Sequence, residues 1–222
     1  MRFFILILLL ISFSFTFSQN QSKVDSKFKI TRLKYSGGGD WYGNPTSIKN
    51  LARFISDNTS IKISVSDNYA ELKDENLYTL PYLYLTGHGN IKFSEEEGEI
   101  LKNYLTNGGF LHVDDNYGLD KNFRREIKKV FPEKELVEIP FSHKIFSSHY
   151  KFSKGLPKIH EHDGKSPQAF GIFHEERLVL FYTYECDLGD GWENQEVHND
   201  SEEKRQEALR MGTNIVVYAL TH

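Results

Sequence analysis

Cysteine is nearly missing from this sequence: among 222 residues only Cys186 carries a thiol. An internal disulfide is therefore excluded, and the fold must be held by its core, which a chain of this length can supply. The lone thiol adjoins Asp187, a neighbour that raises a thiol's pKa, so Cys186 is not expected to be a nucleophile. Basic charge is not in excess either. The 27 Lys and Arg against 31 Asp and Glu give a formal net charge of −4, which argues against nucleic acid or anionic lipid as partners and leaves polar or cationic ligands open. Also missing are a Gly-x-Ser-x-Gly elbow, a phosphate-binding loop and a dinucleotide fingerprint; the run Gly37-Gly38-Gly39 is too weak a pattern to stand for one.

Long apolar runs are confined to the start of the chain. Met1-Arg2, the stretch Phe3 to Phe17 and the small residues Thr16 and Ser18 make up the three parts of a secretory signal peptide. The run is shorter than the ~20 residues a membrane-spanning helix needs. The expectation is cleavage after Ser18, leaving residues 19–222 as a single α/β domain in the periplasm or outside the cell, with no transmembrane helix.

What the rest contains is alternation. Lys27 to Tyr35 reads as a strand, followed by a glycine loop and a helix with Asn44 as N-cap and Pro45 at its first position. Ile61, Ile63 and Val65 read as a second strand and Leu80 to Thr86 as a third. Ser94 and Glu97 have capping-box spacing ahead of a helix that Asn107-Gly108 closes. Phe110 to Val113, a helix capped by Asp120, and Leu136 to Ile139 follow. Pro140 to Gln168 reads as an irregular excursion, Ala169 to Phe173 and Leu178 to Tyr184 as an antiparallel hairpin, residues 187–194 as a loop, and the end as a helix. Repeated strand and helix predict a doubly wound, mainly parallel three-layer sheet.

In such a sheet ligands bind outside the carboxyl ends of the strands. The residues that fall there are Asp40, Trp41 and Tyr42, then His88, then Asp114, Asp115 and Asn116, then Asp187 and Trp192. Asp40, Trp41, Tyr42, Asp114, Asp187 and Trp192 are expected to bind ligand. The aromatic members suit stacking on a sugar. His88, between two glycines, is the candidate base or ligand, with Asp114 or Asp115 expected to support its other ring nitrogen. Consecutive residues on a strand face opposite ways, so one of Asp114 and Asp115 should serve the turn; Asp115 is favoured as the acid of the site. An ion could be held by His88, Asp115 and His143, although the spacing matches no established metal signature. His160-Glu161-His162-Asp163 lies in a polar loop without a helical frame and reads as a solvated surface segment. His112 reads as a satisfied core histidine.

The motifs Gly38-Gly39-Asp40-Trp41-Tyr42-x-Asn44-Pro45-Thr46, Gly87-His88-Gly89, Gly108-Gly109-Phe110-Leu111-x-Val113-Asp114-Asp115 and Asp187-Leu188-Gly189-x-Gly191-Trp192-Glu193 resemble a bacterial family, domain of unknown function 4159. The resemblance covers nearly all of the chain after residue 18. It implies a flavodoxin-like fold similar to class I glutamine amidotransferase domains, but no activity, since this chain has His88 where those enzymes carry a nucleophilic cysteine. Signal and composition resemble Gram-negative envelope proteins, particularly of the Bacteroidota. Three functions stay open: a non-catalytic envelope module that binds a polar small molecule, a glycan or an envelope protein; a hydrolase with His88 and Asp115 as acid and base, with or without a metal; and a scaffold in an envelope assembly. No cofactor is assigned.

Overall fold

The computed structural model describes residues 27–222, so the signal segment read in residues 1–18 lies outside the described residues. Seven strands, β1 (Thr31–Leu33), β2 (Asn68–Ala70), β3 (Tyr82–Leu85), β4 (Phe110–Asp114), β5 (Val137–Glu138), β6 (Gln168–His174) and β7 (Arg177–Tyr184), form one sheet in the order β2-β1-β3-β4-β7-β6-β5. The pairings from β2 across to β7 are parallel, whereas β6 runs antiparallel to both β7 and β5. The parallel part has the strand order of a flavodoxin-like sheet, in which winding reverses between the first and third strands. The loops after β1 and β3 therefore open at the reversal point.

Among the described residues six α-helices accompany the sheet: α1 (Ser47–Asn58), α2 (Glu95–Thr106), α3 (Asp120–Val130), α4 (Leu188–Trp192), α5 (Gln195–His198) and α6 (Glu202–Thr221). The pleat sorts the strands between them. Tyr82 and Tyr84 of β3 pack with Ile48 and Leu51 of α1, Trp192 of α4 and Ile215 of α6. Leu83 and Leu85 pack on the opposite side with Leu101 and Leu105 of α2 and Phe123 of α3. Both faces are covered, so β3 and β4 are buried at every residue, β4 including the polar His112 and Asp114. The three-layer α/β architecture is the expected one. Among the described residues no helix is long and apolar enough to cross a membrane.

Local departures have physical causes. The expected strand at Ile61 to Val65 is reduced to one bridge between Phe28 and Ile63, and β2 forms further on at Asn68–Ala70. Of that alternating stretch only Ile63 is buried, and Val65 is exposed, so the apolar period has no face to pack. Asn44 does not cap α1: its φ of 55° is left-handed, whereas an N-cap is extended, and the helix starts at Ser47. The cap comes from far along the chain, where the buried Glu193 accepts the amides of Thr46 and Ser47 through Oε1 at 2.8 and 2.9 Å. The capping box of α2 is present, with Ser94 and Glu97 bonded reciprocally. The hairpin of β6 and β7 turns through Glu175 and Glu176, both at positive φ as a two-residue turn with the right twist requires. The expected loop at 187–194 contains the short helix α4.

Candidate functional site at the carboxyl edge of the sheet

Strand β4 delivers its two acids to opposite sides. Asp114 is fully buried beneath α4 and accepts from the Thr183 hydroxyl at 2.6 Å, the Gly189 amide at 2.6 Å, the Leu188 amide at 3.3 Å and the Tyr84 hydroxyl at 3.3 Å. Burial pushes its carboxyl up to about 8, with the Thr183 hydroxyl and the Gly189 amide pulling the other way. Behind it lies a buried relay. Thr183 gives its hydroxyl proton to Asp114, so its lone pair accepts from Nε2–H of His112 at 3.1 Å, and Nδ1 of His112 accepts from the Tyr82 hydroxyl at 3.1 Å. His112 is thus a core histidine with both nitrogens satisfied, held neutral because burial lowers it to about 3. Asp114 serves the turn, as one of the pair was expected to.

Asp115 faces the other way, towards the loop before β6. Its Oδ2 lies 3.8 Å from Nδ1 of His162, whose Nε2 is hydrogen-bonded to Oδ2 of Asp187. Burial alone would lower His162, but the carboxylates on either side outweigh it and raise it to about 10. Burial in turn raises Asp115 and Asp187, against the pull of His162. The row continues: His160 Nδ1 is 2.7 Å from Asp190 Oδ2, and His198 Nε2 is 3.7 Å from Asp190 Oδ1, which also accepts from Asn44 at 2.7 Å. The hydrogen bond to Asp190 raises His160. Burial would raise Asp190, yet His160, His198 and Asn44 together hold it below the usual range.

The segment 160–163 is therefore not a solvated surface stretch. The amide of Ile159 donates to the Cys186 carbonyl at 2.9 Å and its side chain is buried, which draws the loop against the end of β7. Spacing of two then turns His160 and His162 to one side while Glu161 stays in solvent. No helical frame is needed, which is why pattern reading missed it; the two histidines two residues apart were the available signal.

His88 is exposed, as its glycine flanks implied, but its partner is neither acid of β4. Asp40 accepts from its backbone amide and stands 3.0 Å from Nδ1. Gly87 makes this approach possible, with φ at 134° and no room for a Cβ beside the Asp40 carbonyl. Among the described residues no hydrogen bond or ion pair joins His88 to Asp115. His143 is elsewhere, accepting the Ile145 amide at 3.3 Å and packed against Phe173 and Tyr218, with burial lowering it. The ion site of His88, Asp115 and His143 is thus not assembled: three separate sets of contacts hold its members. Cys186 is fully buried and its thiol is pushed up by burial and by Asp114, consistent with no nucleophilic part.

The aromatic candidates divide. Trp192 is fully buried, its indole N–H donating to the Ala208 carbonyl at 2.8 Å, so it packs α4 on α6 and cannot stack on a ligand. Trp41 is half-buried between the exposed rings of Tyr42 and Tyr69, at 5.6 and 5.4 Å. That loop is shaped by a residue pattern reading overlooked: buried Arg32 donates to the carbonyls of Gly43 at 2.7 Å and Asn44 at 3.1 Å. Arg32 shares the parity of Phe28 and Ile30, and a charge at an inward position was the clue.

Next to Asp115 a cavity of about 300 Å³ is lined by Asp115, Tyr117, Asp120, Lys121, His162, Lys165 and Tyr184, among others. Tyr117 is 63% exposed and meets His162 edge-on at 5.7 Å. Among the described residues, Asp115 Oδ1, both side-chain polar atoms of Asn116 and Asp187 Oδ1 are buried without a hydrogen-bond partner. Such atoms each cost about 1–3 kcal/mol unless something pairs with them. The edge can thus offer a polar visitor acceptors, an amide and an aromatic face.

A family model described as Domain of unknown function (DUF4159) matches residues 29–220. A comparison with curated proteins finds no match.

Proposed function

Because the chain belongs to the DUF4159 family, whose description names no activity, its site has to speak for it, and we propose an exported module that binds a polar ligand, a carbohydrate by preference, in the cleft beside Asp115. One observation carries this reading: the cavity is bordered by Asp115, whose Oδ1 is buried without a partner, and by the open face of Tyr117. A sugar presents hydroxyls that donate to a carboxylate and a CH face that packs on an aromatic ring. The cleft's mixed lining, with Lys121 and Lys165 among the acids, suits a neutral polyhydroxylated ligand better than an ion of one sign. Export rests on the signal segment at the start of the chain, and places the module in the periplasm or outside the cell.

A glycan array probed with the labelled protein tests the reading. Retention of a defined set of glycans, weakened at least tenfold in Tyr117→Ala, is the expected result; a parent protein that retains no glycan would contradict it.

A hydrolytic reading of the same edge is favoured by one feature, the placement of His162 between Asp115 and Asp187. Its acid and base would be Asp115 and His162 rather than Asp115 and His88. Turnover of chromogenic glycosides that disappears in His162→Gln would establish it, and retention of intact ligand by the parent would leave binding as the function.

A further inference from the structure

We propose that His160, Asp190 and His198 form a binding site for one borderline divalent cation, of the class of Zn²⁺. One donor atom from each lies within 4.8 Å of the other two. Around an ion with bonds of ~2.0–2.1 Å, donor atoms of a tetrahedral set stand about 3.3 Å apart, so no pair needs to close by more than about 1.5 Å. Asp190 already reaches both imidazoles, with Oδ2 2.7 Å from His160 Nδ1 and Oδ1 3.7 Å from His198 Nε2. The imidazoles meet edge-on, with centroids 4.8 Å apart and planes at 64°, rather than stacked.

Two further side chains point to a ligand independently of that spacing. Asp187 has a side chain only 5% exposed, with Oδ2 at 3.9 Å from His160 Nδ1 and Oδ1 buried without a partner. Asp200, 7% exposed, places Oδ2 3.2 Å from His160 Nε2, but off the line of a hydrogen bond, and that oxygen too is unpartnered. A histidine that binds metal through one ring nitrogen commonly gives the other N–H to a carboxylate, which fixes the tautomer and turns the ring towards the ion. Asp200 occupies that place with respect to Nδ1 as the metal-binding atom. With Asp187 paired to His162, Asp190 and Asp200 are the two carboxylates whose charge a divalent cation would balance beside neutral imidazoles.

The donors are nitrogen and oxygen with no thiolate, which selects Zn²⁺, Mn²⁺ or Fe²⁺ over soft ions such as Cu⁺. Binding would release any proton held by His160 or His198, since imidazole ligates only when neutral. The proposal does not depend on what fills the cleft beside Asp115. The two places are joined through the bond of His162 to Asp187, and the metal site uses neither Asp115 nor Tyr117.

The test is calorimetric titration of the chelator-stripped protein with Zn²⁺ at pH 7.5, with the metal content measured by mass spectrometry after desalting. One equivalent per chain is expected, with affinity reduced at least 100-fold in His198→Gln, a partly exposed position, the fold of the variant being checked by far-ultraviolet circular dichroism and metal-free melting. Asp200→Asn should weaken binding about 10–100-fold without abolishing it. A parent that takes up no more zinc than His198→Gln, or equal affinities in the two, would overturn the site.

Discussion

The amide of Gly189 donates to Oδ2 of Asp114 at 2.6 Å, tying the start of α4 to the end of β4 across 75 residues of chain. A Cβ at position 189 would lie 2.5 Å from the Tyr84 hydroxyl and 2.8 Å from Asn44 Nδ2. Gly189→Ala is therefore expected to lower stability by about 1–3 kcal/mol through overpacking. Asp114→Ala should cost at least as much, about 1–3 kcal/mol for each buried donor it leaves unpaired. Urea unfolding midpoints measure both, and unchanged midpoints would contradict this role.

Acid should weaken the fold through His112. The unfolded histidine takes a proton below about 6.5, but the folded one, with its nitrogens already committed to Tyr82 and Thr183, only near 3. The folded value is depressed, so the contribution is complete above 6.5 and is lost as pH falls from 6.5 towards 3, by ~1.4 kcal/mol per unit. Unfolding free energies of the parent and of His112→Asn between pH 4 and 7 should diverge in slope by about that amount; parallel curves would count against a neutral buried histidine.

The sheet was legible from the sequence because both of its faces are covered: β3, β4 and β7 are rich in apolar residues, and turn residues bound them. The capping box of α2 and the hairpin turn were equally plain, since each is set by neighbours in the chain. What the sequence hid is long-range. The cap of α1 comes from Glu193, about 147 residues away, and the partner of His88 is Asp40, 48 residues away. His160 and His162 carried no periodic signal, because an irregular loop orients them through one backbone bond to Cys186. Asp115 was correctly set apart from Asp114 by the pleat alone, whereas burial of Trp192 by α6 could not be foreseen from its place in a polar motif.

The same long-range cap yields a stability prediction. Glu193 is 1% exposed and its Oε1 accepts both amides at the start of α1. Glu193→Ala is expected to destabilise by about 0.5–2 kcal/mol, as loss of a helix cap does, and Glu193→Gln by less, because its amide oxygen still accepts. Thermal melts of the two variants should rank in that order; an equal loss would mean that the charge, not the acceptor, is what α1 requires.

The central claim is that the cleft at Asp115 holds a polar ligand. Its most direct test is isothermal titration of the parent and of Asp115→Asn with the glycan that the array retains most strongly. Binding to the parent with one site per chain, weakened tenfold or more in Asp115→Asn at unchanged melting temperature, is the predicted result. Equal affinity in the two proteins would place the ligand elsewhere and contradict the account.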